Sequence, residues 1–168
     1  MNNTEKNTYV KQQITNAFLQ MLEKHNIKDV SVSDLCDKAG VGRASFYRNY
    51  ESKEDVIRQY SDYLIKEWGR QFENDPESSF FNIFGSLFHH YKEHSDFYTL
   101  LLNQGMSYMI LDTIKRKTNL SKEDPNFDAY EKAFFSYGLY GWICEWIERG
   151  MQETPDEINE LFEKNRLG

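Results

Sequence analysis

Arg43, Ser45, Tyr47, Arg48 and Asn49 form a row of hydrogen-bonding side chains directly after Gly40-Val41-Gly42. Phe46 and Tyr50 lie four residues apart and so share one face of a helix. With that face packed inward, the polar row points out. Guanidinium, hydroxyl and amide groups on a short helix after a glycine turn suit a DNA major groove, where base edges and phosphates offer acceptors. On this reading Arg43 reaches a guanine edge or a phosphate, and Ala44 lies against a thymine methyl. Ser31, Ser45, Tyr47 and Asn49 hold phosphates, and Arg48 does either. Lys53 opens a later helix, where a cation opposes the helix dipole. A DNA phosphate supplies a reason for it, with a solvated lysine as the plain alternative.

Short helices must hold this row in place. Ser31 is a good N-cap, and Val32, Leu35, Cys36 and Ala39 follow at helical spacing. Gly40 stands where a helix often ends in a left-handed residue, and Gly42 is a weaker cap for the helix that bears the row. A first helix is expected from about Thr8 to His25, with Val10, Ile14, Ala17, Phe18 and Met21 inward and a frayed polar segment before it. Ile27 and Val30 plug the core. Ser52 caps a fourth helix that runs to about Glu73, with Glu54 and Asp55 at its positive end.

The segment Val32-Ser33-Asp34-Leu35-Cys36, then Ala39-Gly40-Val41, Ser45-Phe46-Tyr47-Arg48-Asn49-Tyr50 and Lys53-Glu54 resembles the N-terminal domain of the TetR family of bacterial transcriptional regulators. The resemblance extends from about Tyr9 to Trp68. It implies an all-α, nine-helix architecture, with a helix-turn-helix DNA-binding domain over residues 1–52. A C-terminal ligand-binding and dimerisation domain would occupy 53–168, and the helix from about 53 to 73 would carry ligand-driven movement. It also implies that Ser33 reaches a base and that Lys53 holds a phosphate. Gly42 departs from the Ser or Thr frequent in the family, and Glu51 adds an acid beside Lys53. Gly138 through Trp146, with Gly150 and Thr154-Pro155, resembles a subgroup related to activators of dihydroxyacetone kinase operons.

The whole chain of 168 residues has a net charge of −7, which looks wrong for a DNA binder. Its halves differ. Residues 1–70 hold eleven Lys and Arg against ten Asp and Glu, whereas 71–168 hold nine against seventeen. The acidic half would repel DNA and help turn the other toward it. Twelve Phe, eleven Tyr and three Trp promise an aromatic core or pocket. No alternating run suggests a strand. Cys36 and Cys144 read as small core residues rather than a redox pair. The N-terminus has no apolar signal core, and no apolar run approaches the roughly 18 residues of a membrane span, so a cytoplasmic protein is expected.

Asn74-Asp75-Pro76-Glu77 is the clearest break. After it, a fifth helix is expected from Ser78 or Ser79 to His94, crowded with Phe80, Phe81, Phe84, Leu87, Phe88 and Tyr91. Ser95-Asp96 would cap a sixth, broken at Gly105. A seventh would run from Met106 to Lys117 and an eighth from Phe127 to Arg149. Thr154-Pro155 opens a ninth. Gly138 and Gly141 within the eighth call for a close backbone approach by another helix, since each costs about 1 kcal/mol against alanine. Phe84, Phe88, Tyr91, Tyr108, Phe134, Tyr137 and Trp142 are the expected lining of an effector pocket, suited to a hydrophobic or cationic aromatic compound. Tyr140, Gly141, Cys144, Ile147, Met151, Ile158, Leu161 and Phe162 are the expected two-fold dimer face. His90 and His94 have possible metal-ligand spacing, but the favoured reading is solvent-facing or pocket histidines, with no metal and no cofactor. No nucleophile–base arrangement appears, so an enzyme is not expected. The expectation is a dimeric regulator on double-stranded operator DNA, acting as a repressor released by a small molecule. The alternative keeps the fold but binds another protein instead of DNA.

Overall fold

The computed structural model describes residues 3–79 and 81–166. Among these the regular structure is nine α-helices and a short 3-10 helix at Ile27–Asp29, with no strand. The helices are α1 (Asn3–Leu22), α2 (Val32–Ala39), α3 (Arg43–Tyr47), α4 (Lys53–Asn74), α5 (Ile83–Glu93), α6 (Ser95–Asn103), α7 (Tyr108–Lys117), α8 (Asn126–Glu148) and α9 (Pro155–Arg166). The chain divides into two units, Met1–Tyr63 and Leu64–Gly168, and α4 contributes to both.

In the first unit α1 packs on α2 and α2 on α3. Ile14, Phe18 and Leu22 of α1 meet a core that also buries Leu35, Phe46, Val56 and Ile57, none more than 1 % exposed. Burying each such side chain is worth about 1.5–3 kcal/mol. α1 begins at Asn3, earlier than its apolar stripe announces. Glu5 in its first turn suits the positive end, and no breaker stands before Thr8.

In the second unit α5 packs on α9, while α6 and α7 both pack on α8. Phe88, Tyr91, Tyr98, Leu101, Ile110 and Ile143 are almost fully buried. α5 starts at Ile83 rather than at Ser78 or Ser79. The reason is side-chain competition: Asn82 accepts from the Ser79 amide at 2.8 Å and donates to the Glu77 carbonyl at 2.9 Å, which holds a turn in place of a helix. Phe80 lies outside the described residues. Ser95 is the first residue of α6 and not its cap, because α5 and α6 share His94 as their junction. Gly105, with φ +69°, turns the chain toward α7, which begins at Tyr108. α9 opens as expected, with the Thr154 hydroxyl accepting from the Glu157 amide at 3.2 Å and Glu157 accepting from the Thr154 amide at 2.7 Å.

The close helix approach falls at a different glycine from those expected. A Cβ added at Gly138 or Gly141 would meet nothing within 4 Å, whereas one at Gly85 would lie 3.2 Å from Asn159. The contact is functional in the local sense. Asn82 does not cap α5, and its early amide at Gly85 would lack a partner. Asn159 of α9 accepts from that amide at 3.0 Å and donates to the Phe81 carbonyl at 3.1 Å. α9 thus supplies the missing cap of α5. Asn159→Ala should cost about 1 kcal/mol, as loss of a cap does. The measurement is chemical denaturation, and an unchanged midpoint would show that the contact is dispensable.

Candidate nucleic-acid interface and apolar cavity

The turn between α2 and α3 follows directly from its residues. Ser31 caps α2 by accepting from the Asp34 amide at 3.1 Å, and its own hydroxyl donates to the Asp34 carboxylate at 2.6 Å. Gly40 takes the left-handed conformation, φ 65° and ψ 31°, and the Val41 amide returns to the Cys36 carbonyl at 3.0 Å. Gly42 precedes α3 with no side-chain cap. Phe46 and Tyr50 are buried with ring centroids 5.6 Å apart. That leaves Arg43, Ala44, Tyr47 and Arg48 exposed and Ser45 and Asn49 half-buried.

Several of these side chains are held before any ligand arrives. The Arg43 guanidinium donates to the Ser33 hydroxyl, joining α3 to α2. Arg48 lies along its own helix, donating to the Ala44 carbonyl at 3.2 Å and the Ser45 hydroxyl at 2.9 Å. Asn49 donates to the Ser45 carbonyl at 2.8 Å and so closes the C-terminal turn. Lys53 has a partner within the unit. Its ammonium donates to the Ile27 carbonyl and, at 2.7 Å, to the Val30 carbonyl. These carbonyls are partners for a cation at the positive end of α4.

A polar network fixes the far end of α3. Gln59 donates to the Asn49 carbonyl and to Asp55, both at 3.0 Å, and accepts from Lys11 at 2.9 Å. Asp55 is buried, pairs with Arg58 and accepts from the Glu51 amide at 3.0 Å. Burial works to raise its carboxyl, but the Glu51 amide, Gln59 and Arg58 outweigh it and hold the group below the usual carboxylate range. A depressed pKa stabilises the fold above about pH 4, and that stability is lost as pH falls through the folded value. Asp55→Asn should therefore melt earlier than the parent at pH 7, with the gap closing below about pH 4. Thermal melts across that range check it; a gap independent of pH would remove the carboxylate's charge from the account.

The second unit contains a cavity of about 760 Å³. Of the expected lining, Phe84, Tyr91, Phe134 and Trp142 border it. Phe88 instead packs edge-on against Trp146 at 5.0 Å, and Tyr108 is exposed on α7. Tyr137 is exposed too, with the Lys115 ammonium 4.5 Å from its ring centroid. Residues outside the expected set also border the space: Trp68 from α4, Thr113, Ile114 and Lys117 from α7, and Phe162 from α9. Trp68 carried a signal, since it closes the apolar stripe of α4; Phe162 was placed on a dimer face and stacks on Phe84 at 3.9 Å.

The expected dimer face is partly consumed by the fold. Ile147, Met151 and Ile158 are 5 %, 8 % and 5 % exposed and belong to the core of their own unit. α8 is apolar around much of its circumference, and packing within the unit takes up the side that bears Ile147. Tyr140 and Cys144 are half-buried, and the Tyr140 hydroxyl shares a hydrogen bond with Ser107 at 3.0 Å. Gly141 and Leu161 are exposed. So are Phe127, Tyr130 and Phe134, the last 84 % exposed.

His90 is a core histidine. It is buried, hydrogen-bonded to the Tyr98 hydroxyl at 2.8 Å, and its pKa falls to about 3 through burial and the neighbouring His94. No group of three or more His, Cys, Asp or Glu among the described residues is placed to hold a metal ion. Cys36 and Cys144 are free, and burial raises both thiols. No helix among the described residues is long and apolar enough to cross a membrane.

Comparison with known proteins places both units. Residues 14–60 match the description "Bacterial regulatory proteins, tetR family", and residues 78–166 match "Transcriptional regulator C-terminal region". YxbF, an uncharacterized HTH-type transcriptional regulator of Bacillus subtilis, is 22 % identical over 173 residues, covering 88 % of this chain and 42 % of its own length. EthR, an HTH-type transcriptional regulator of Mycolicibacterium smegmatis, is 36 % identical over 81 residues, covering 40 % of this chain and 37 % of its own. The chain spans about two fifths of the length of these curated relatives. Among solved structures, Lin0861 from Listeria innocua aligns with a TM-score of 0.77 at 17 % identity, covering 99 % of this chain and 93 % of that one. The dihydroxyacetone kinase operon activator DhaS aligns with a TM-score of 0.57 at 15 % identity, covering 94 % of each, a likeness of fold. The helix-turn-helix unit and the helical unit that follows it thus belong together, and the chain is a member of the TetR family of DNA-binding transcriptional regulators.

Proposed function

We propose that the protein binds a two-fold operator as a homodimer and represses transcription until a small molecule enters the cavity of the second unit. The observation that carries this reading is the exposed face of α3, where Arg43, Ala44, Tyr47 and Arg48 project while Phe46 and Tyr50 are buried. In the groove, Arg43 would read a guanine edge or a phosphate, Ala44 would sit against a thymine methyl, and Ser33 would exchange its bond with Arg43 for a base. Ser31, Ser45, Tyr47 and Asn49 would hold phosphates, and Arg48 would do either. α4 is continuous from Lys53 to Asn74 and is the natural carrier of an effector's influence. A gel shift with the protein's own upstream DNA, with and without added salt, tests the reading; a protein that shifts no DNA at low salt would not act this way.

Lys53 distinguishes two roles. Lys53→Ala should weaken binding to all DNA sequences and flatten the salt slope by about one if the ammonium leaves its carbonyls for a phosphate. An unchanged slope with a lowered melting temperature would make Lys53 only a clamp on the 3-10 helix.

One reading head contacts half of a palindromic site, so two heads must be held at a fixed spacing. The surface proposed for this is the exposed side of α8 at Tyr137, Gly138 and Gly141, flanked by Tyr140, Cys144 and, on α9, Leu161. The open space over both glycines would admit a partner helix at close range. Tyr137→Glu combined with Gly141→Glu should give monomers in sedimentation and abolish operator binding with helix content kept. Dimers in that variant would place the interface elsewhere.

A further inference from the structure

The cavity of the second unit is chemically lopsided. Aromatic and aliphatic side chains make most of its wall, among them Trp68, Phe84, Phe134, Trp142 and Phe162. Apart from aromatic residues, its polar side chains among the described residues are Thr113 and Lys117 of α7 and Thr118, the residue that caps it. Among the described residues Lys117 is the one charged side chain on the lining, and no Asp or Glu of the described residues is on it. This is notable in a half-chain with seventeen acids against nine Lys and Arg over residues 71–168.

The two threonine hydroxyls have their hydrogens engaged. Thr113 donates to the Met109 carbonyl at 3.0 Å, and Thr118 donates to the Lys115 carbonyl at 3.2 Å and meets Ser136 at 3.0 Å. The Lys117 side chain makes no hydrogen bond or ion pair among the described residues, and this exposed residue borders the cavity. A cationic ligand would give up its hydration here with no anion to replace it, while a carboxylate would find an ammonium at one end and rings along its body.

We propose that the effector is a carboxylic acid with an extended apolar body, its carboxylate on Lys117 and its chain among Phe84, Phe134 and Trp142. This rests on the cavity being the effector site. It selects between the hydrophobic and the cationic compounds that aromatic rings alone would admit, and it does so against the acidic balance of the surrounding half. Binding through these contacts reads out on tryptophan emission, because Trp68 and Trp142 border the space.

Decanoate, decanol and decyltrimethylammonium share one alkyl chain and differ in head-group charge. Each is titrated against the full chain below its micellar concentration, with tryptophan fluorescence as the signal. Decanoate should bind at least about tenfold more tightly than decyltrimethylammonium, a difference of about 1.4 kcal/mol. Lys117→Gln, at an exposed position, should bring decanoate to the affinity of decanol and leave decanol unchanged. Equal or tighter binding of the cation, or a decanoate preference that survives Lys117→Gln, would overturn the assignment to an acid while leaving the cavity reading in place. No response to any of the three would overturn both.

Discussion

The burial of Phe46 and Tyr50 is the constraint on which the reading head depends. α3 has five helical residues, and a helix that short does not hold its shape in water. It exists because Phe46, fully buried, and Tyr50, 4 % exposed, anchor its inner side to the rest of the unit. The Gln59 amide then ties the Asn49 carbonyl to Asp55 and Lys11, so the end of α3 is fixed by hydrogen bonds as well as by apolar contact. The outward direction of Arg43 and Tyr47 is a consequence of this anchoring. Their residue types alone would not orient them.

The same logic runs through the second unit with the opposite result. α8 has more apolar surface than its neighbours cover. Ser136, Leu139, Ile143, Trp146 and Ile147 turn inward, and the remaining rings and glycines stay outside or border the cavity. A helix apolar on several sides needs several partners. Within the unit they are α6 and α7, the rings of α5 and α9 that meet Phe135, Trp142 and Trp146, and an open space; the proposed effector and second copy would complete the set.

Lys53 and Asn159 show how polar side chains mend helix ends at a distance. Lys53 collects the carbonyl that opens the 3-10 helix and the one just past its end, more than twenty residues away in sequence. Asn159 supplies the cap that α5 lacks, from a helix more than seventy residues downstream. Asn159 pairs a backbone amide at a helix start, and Lys53 adds a donor to carbonyls that flank the 3-10 helix. Neither has a local signature. Lys53 looked out of place at the start of α4, which was a real signal, but a phosphate and a pair of carbonyls answer it equally well in sequence.

What the residues determined by themselves is whatever rests on local chemistry. Ser31, Gly40 and Gly42 mark the turn between α2 and α3, Thr154 and Pro155 start α9, and the spacing of Phe46 and Tyr50 tells which side of α3 is buried. Caps, left-handed glycines and helical periodicity act within a few residues, so they can be read along the chain. Tertiary structure decided the rest, for a reason common to all of it: competition among distant groups for a limited core. Packing assigned Ile147, Met151 and Ile158 to the interior of one unit, set a close helix approach within that unit at Gly85, and brought Phe162 beside Phe84. It also put Lys117 at the edge of an otherwise apolar space, although the sequence shows it as one of three consecutive basic residues closing a helix.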